Sequence, residues 1–362
     1  MGTTRFPTAA EFASFPRPNY VDPITRRPVA IAVTVPLTVL VITAISCRFY
    51  GRIVIVRKLG WDDWTMLVAA ILCVANNIML VVAMLPNYQL GYHYWDLKLE
   101  VMNGTMKAAQ VSMAYNLIFT AIAAIMKVSI LLTYLMLFPS MVNKWFCRTM
   151  IAYTIVLNVI AFFITIFQCS PASAYWEPLK YLGTAKCMNL RAIYYYHNAQ
   201  NTLSDFIIFL WPVKDLMNVK ISLRQRITLT CMFSLGVIVC IAGVLHIYYT
   251  YIYLESFDVM WHGATCFIVG AVESCVGVAC GCLPGCKPLM SKLFPRVFGA
   301  TTQNSHSRRY AYAHDRGKQL EAGRSQRSDN SDSYKLRSVS IDEIDLIVPA
   351  RTRGNSRGPE AW

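Results

Sequence analysis

The stretch from Tyr115 to Phe138 is long and apolar enough to cross a bilayer, yet it carries one lysine, Lys127, near its middle. An ammonium group at that depth costs at least about 2.5–3.5 kcal/mol in hydrocarbon, so it must face protein and find a partner there. The comparably deep carboxylates are Asp205 and Glu273, each near the centre of another apolar segment. Three ionisable groups on three spans predict a closed bundle of helices with a polar centre, because lipid satisfies neither charges nor open backbone. The expected class is therefore an all-α membrane protein.

Seven segments of sufficient length for a hydrocarbon core of about 30 Å can be marked. They run from Val29 to Cys47, Gly60 to Leu85, Tyr115 to Phe138, Ile151 to Phe167, Tyr194 to Val213, Ile227 to Ile247 and Trp261 to Leu283. A formal net charge of +14 raises nucleic acid as a partner. The basic residues, however, cluster between apolar segments and in the tail, with no zinc-finger spacing or stacking motif beside them, and this excludes nucleic acid. Arg48, Arg52, Arg57 and Lys58, then Lys144 and Arg148, then Lys214, Lys220, Arg224 and Arg226 make three basic loops. By the positive-inside rule these are cytoplasmic, which places the N-terminus outside and the C-terminus in the cytoplasm. Residues 1–28 form an extracellular N-terminal tail without an apolar signal region, and residues 29–295 a membrane domain. The Ser-, Arg- and Gly-rich residues 296–362 form a disordered cytoplasmic tail.

Smaller features fall on this frame. Asp62 and Asp63 open the second segment, where a carboxylate caps free amides and suits the helix dipole, or reaches the neighbouring basic loop. Asn103 begins an Asn-Gly-Thr glycosylation triplet in an outer loop. Cys169 and Cys187 share the second outer loop, on the oxidising side, and no other loop on that side has a cysteine, so they are expected to form a disulfide. Cys280, Cys282 and Cys286 lie near the inner surface as candidates for palmitoylation. Cys73, Cys231 and Cys240 read as reduced packing residues, and no cysteine–histidine grouping has metal-ligand spacing.

In this order, several motifs resemble the fungal rhodopsin-domain family of receptor-like integral membrane proteins. They are Gly60-Trp61-Asp62-Asp63-Trp64, Gly91-Tyr92-His93-Tyr94-Trp95, Lys127 with Ser129 and Tyr134, and Gln168-Cys169-Ser170-Pro171 with Trp176 and Cys187. Asp205 with Pro212, Leu235-Gly236, and Glu273 followed by Cys282-Leu283-Pro284 complete the set. The resemblance covers about Val29 to Pro295 and implies seven transmembrane helices. Where the family tends to place an arginine late in the sixth helix, this chain has His246. The seventh segment holds no lysine for a retinal Schiff base, so no cofactor is expected. The usual receptor motifs for G-protein coupling are also missing.

Three functions compete. The leading expectation is a sensor of a small molecule or surface cue in the plasma membrane, with Lys127, Asp205 and Glu273 as a two-state network and a cytoplasmic signalling protein as partner. A second is an accessory protein or enzyme of a secondary-metabolite pathway, with a buried carboxyl as acid. The third is a transporter, against which stands the absence of an internal repeat.

Overall fold

A computed structural model describes residues 8–97, 106–137, 140–177, 180–181, 183–217 and 223–293. Side chains of residues 9, 212–233, 287, 288 and 290–293 are not described. The expected tail at 296–362 and the triplet at Asn103 lie outside the described residues.

A short α1, Ala9–Ala13, is followed by α2, Arg27–Tyr50, α3, Trp61–Ala83, and α4, Lys107–Leu137. Then come α5, Met141–Ile166, α6, Leu190–Met217, α7, Leu223–Glu255, and α8, Val259–Leu293. The one small sheet among the described residues pairs β1, Cys169–Ser170, with β2, Lys186–Cys187, antiparallel between α5 and α6. Six described helices are long and apolar enough to cross a membrane: Arg27–Val56, Trp61–Ala83, Lys107–Leu137, Met141–Ile166, Ser234–Glu255 and Val259–Cys286. The chain is thus an all-α, multi-span bundle. At 28 residues, α6 matches these helices in length. It falls short in apolarity because Arg191, Asn198, Gln200, Asn201 and Asp205 lie along it.

Most helices overrun the segments marked from sequence, although α3 falls inside its own. In the first span and in α5, basic residues taken as loop extend the helices instead. Arg48 and Arg52 continue the first span, which passes into a wider turn at Gly51–Val56 and stops where Arg57 adopts a left-handed φ of 56°. Lys144 and Arg148 lie within α5, whose start is capped by Ser140 accepting from Asn143 N–H. Pro284, expected to end the last span, lies inside α8.

Helix α4 occupies the middle, packing on α3, α5, α6 and α8, while α8 also meets α2, α3 and α7. By contrast α5 rests chiefly on α4. Its Ile155, Val156, Val159, Ile160 and Phe163 are exposed, as an apolar face toward lipid requires.

One end of the bundle is closed by a lid. Gly91 N–H donates to Met260 O and Arg26 N–H donates to Gly91 O, both at 3.0 Å, tying the starts of α2 and α8 to the end of α3. Gly91 has φ 82°, and a Cβ there would meet Arg26 Cβ at 3.1 Å and Ala264 Cβ at 3.3 Å, so both conformation and space demand glycine. His93 stacks on Trp95 at 4.4 Å and on Trp261 at 3.7 Å, and its Nδ1 lies 2.6 Å from Asp258 Oδ2. The Arg26 guanidinium covers Trp261 at 4.2 Å. Phe15 packs on Trp95 and Phe257, bringing the N-terminal segment onto the same end. Cys169 and Cys187 form the expected disulfide, and Met106 N–H donates to Trp176 O at 2.8 Å, fastening that loop to the start of α4.

Candidate functional site: a buried polar relay under the lid

Lys127 is fully buried, 1% exposed, and its ammonium donates to Asn201 O at 2.8 Å, Asn201 Oδ1 at 2.7 Å and Ser204 Oγ at 2.6 Å. Asp205 Oδ1 lies 3.2 Å away. Asn201, Ser204 and Asp205 stand at i, i+3 and i+4, so one face of α6 presents all of them to one cation on α4. A lysine ammonium has three hydrogens to place, and here each has an oxygen.

Glu273 is brought to this group indirectly. Asn201 Nδ2 donates to Glu273 Oε1 at 2.7 Å, so one amide side chain accepts from the lysine and donates to the carboxylate. The other carboxylate oxygen lies 2.7 Å from His246 Nδ1. Among the described contacts, the lysine therefore pairs with Asp205, and Glu273 pairs with His246. Sequence reasoning assigned His246 no partner; the geometry places it across from the acid. Asn201 and Ser204 were missed, although their spacing from Asp205 on a helix was the available signal.

Beside His246, toward the lid, lies a partly enclosed cavity of about 30 Å³, lined among others by Phe119, Gln168, His197, Asn198, His246 and Tyr253. That is room for about one water-sized group. Gln168 precedes Cys169, so the disulfide loop forms part of the cavity wall. The Gln168 Nε2 and His197 Nδ1 atoms are buried without a protein partner among the described residues. Thr120 Oγ1 donates to Asn116 O at 2.8 Å and lies 3.4 Å from His197 Nε2. With its proton committed, that hydroxyl can only accept from Nε2–H, which leaves Nδ1 as a bare acceptor.

The second set of charges lies at the far end. Arg48, 0% exposed, directs Nε to Asp63 Oδ1 at 2.8 Å, Nη2 to Asp62 Oδ2 at 2.6 Å and Nη1 to Gly281 O at 2.8 Å. One helical turn on, Arg52 reaches Asp62 Oδ2 at 2.9 Å and Asp63 Oδ1 at 3.3 Å. Asp63 still caps its helix by accepting from Gly60 N–H at 3.0 Å. Ser129 and Thr133 of α4 donate to Asp62, at 2.6 Å to its carbonyl and 3.3 Å to Oδ2. The two aspartates thus join α2, α3 and α4, more than capping alone requires, and Arg48 adds α8 through Gly281 O. Gly285 makes room, since a Cβ there would lie 2.7 Å from Arg48 Cγ.

Cys280, Cys282 and Cys286 are buried within the apolar core, at 3%, 0% and 7% exposure. Their position corrects the expectation of surface acylation: α8 turns them inward, and a lipid chain on any of them would have to displace packed side chains.

The Fungal rhodopsin domain family matches residues 47–292. The chain belongs to that family. It is 23% identical over 292 residues to the polyenoic acids biosynthesis gene cluster protein Ba17b of Metarhizium anisopliae, with 78% of each chain covered. It is also 23% identical over 318 residues to the fugralins biosynthesis cluster protein 2 of Gibberella zeae, covering 83% of this chain and 77% of the relative. With the wortmanamides biosynthesis cluster protein C of Talaromyces wortmannii it shares 26% identity over 247 residues, 66% of this chain and 65% of that one. No solved structure matches the chain.

Proposed function

We propose that this fungal rhodopsin-domain protein serves a secondary-metabolite pathway from within the membrane, as an accessory protein or enzyme that admits one small polar group of a bilayer-soluble metabolite to the lid-end cavity. The observation that carries this reading is the His246–Glu273 pair, 2.7 Å apart, with His246 in the wall of a small, partly enclosed cavity that aromatic side chains also line. Such a pair holds a proton where water is excluded, which suits acid–base handling of a polar group on an apolar molecule. Lys127 and Asp205 hold the α6 face that positions Asn201 against Glu273. Relatives named for biosynthetic clusters support the same reading.

In this proposal α6 is the seventh span, its polar face turned to the relay. The N-terminus and lid lie outside, on the oxidising side that the Cys169–Cys187 disulfide requires. Residues 296–362 lie in the cytoplasm, and the plasma membrane is the expected site. Deleting the gene and profiling metabolites tests the function. Loss or change of one compound class, restored by wild type and not by Glu273→Gln, is expected. An unchanged profile together with a lost response to surface cues would favour the sensor instead. That second reading rests on the relay crossing α4, α6, α7 and α8, whose relative shift would repartition its hydrogen bonds.

A further inference from the structure

Cys73 on α3 and Cys275 on α8, 1% and 0% exposed, place their sulfurs 3.3 Å apart across 202 residues of chain. Asn77, one turn beyond Cys73, donates Nδ2–H to Cys275 Sγ at 3.3 Å and to Thr38 Oγ1 at 2.9 Å. Buried cysteines ordinarily behave as inert apolar side chains. Two features set this pair apart: contact between sulfurs on different helices, and an amide donor aimed at one of them. A donor at sulfur stabilises negative charge there, which marks Cys275 as the more readily oxidised member.

We propose that Cys73 and Cys275 form a second, redox-controlled disulfide that clasps α3 to α8, made by a small neutral peroxide. Cys275 sulfur attacks one peroxide oxygen, the O–O bond breaks, and Cys275 becomes a sulfenic acid as one water leaves. Cys73 sulfur then attacks Cys275 sulfur, the S–O bond breaks, and a second water leaves. Two thiols and one hydrogen peroxide become one disulfide and two waters, the sulfurs being oxidised and the peroxide reduced. Bond formation brings the sulfurs to about 2.05 Å, a closure of little more than 1 Å, within the reach of side-chain rotation and small helix shifts. Hydrogen peroxide is close to water in size and uncharged, whereas a tripeptide thiol does not fit between packed helices. The closed form therefore persists until the bundle loosens. Cys275 is two residues from Glu273, so the clasp fixes the helix that supplies that acid.

The test uses the full chain in lipid nanodiscs, treated with increasing hydrogen peroxide, then denatured, alkylated and digested without reductant. The expected result is a parallel loss of alkylation at Cys73 and Cys275, with a linked peptide containing both, at peroxide levels that leave Cys147 and Cys282 alkylated. In Cys73→Ser, Cys275 stalls as the sulfenic acid and takes up dimedone. If both thiols stay alkylatable when Cys147 and Cys282 oxidise, or Cys275 couples to another cysteine, the clasp is wrong. Should Cys73→Ser fail to fold, mapping of the wild-type chain decides alone. The readout is a covalent bond, so the result stands apart from any effect on metabolites.

Discussion

The two buried charge clusters differ in a way that bears on their use. At the far end, two arginines, Arg48 and Arg52, face two aspartates, Asp62 and Asp63, and the charges balance with no proton to place. In the centre, Lys127 faces Asp205 and Glu273, and balance is reached only if one further proton resides on His246 or on a carboxyl. The first cluster is closed by charge and by geometry, with Arg48 donating to three oxygens on two other helices. The second is linked through the neutral amide of Asn201 and borders a cavity. One is suited to holding helices in register; the other leaves one proton to be placed between His246 and the carboxyls, as the proposed function requires.

The sharpest way to break this contrast is Arg48→Met, which leaves two buried carboxylates with only Arg52 between them. Removing one partner of a buried pair costs about 3–5 kcal/mol, and this site belongs at the upper end. Little folded protein should be recovered on size-exclusion chromatography in detergent. Near-normal recovery would mean that the far-end cluster is dispensable.

Lys127→Met should cost nearly as much, about 3 kcal/mol, because Asp205 is left buried without its cation. Adding Asp205→Leu should return much of the thermal stability, since an apolar pair of similar volume needs no compensation. Double-mutant stability no better than the single would show that the pair is not the source of the loss.

Glu273→Gln tests the proton directly. It keeps the size and an oxygen for Asn201, so the stability loss should be small, about 1 kcal/mol, while the metabolite profile should match that of the deletion strain. Full activity in the Glu273→Gln chain would show that function does not depend on that proton. Thr133→Val should have the smallest effect, about 0.5 kcal/mol by thermal unfolding, because its hydroxyl also has the Ser129 carbonyl of its own helix at 3.0 Å. A loss as large as that of Lys127→Met would mean that the far-end cluster depends on α4 more than its charges suggest.

Much of the bundle was legible because charge is rare in apolar sequence: Lys127, Asp205 and Glu273 stand out, and Cys169 with Cys187 follows from the side of the membrane. Helix ends were not. Arg48 looks like a cytoplasmic loop residue until its partners, Asp62 and Asp63, are known to fold back beside it. Asn201 and Ser204 escaped notice because neutral polar residues are common in helices, and their spacing from Asp205 gains meaning only once Lys127 is known to face them. Tyr248, Tyr251 and Tyr253 crowd the end of one apolar segment, a composition that by itself suits an interfacial belt. Tyr248 and Tyr251 are 56% and 55% exposed, whereas Tyr253 turns inward to the cavity. Helix α6 is the instructive exception: the residues that make it useful to Lys127 are those that dilute its apolar character.

The stack of Trp95, His93, Trp261 and Arg26 sets what it costs to part the lid at this end of the bundle. Each aromatic pair contributes about 0.5–1.5 kcal/mol and the cation about 1 kcal/mol more, so parting them costs on the order of 3 kcal/mol. At about 1.4 kcal/mol per factor of ten, fewer than about one molecule in a hundred is open at any instant.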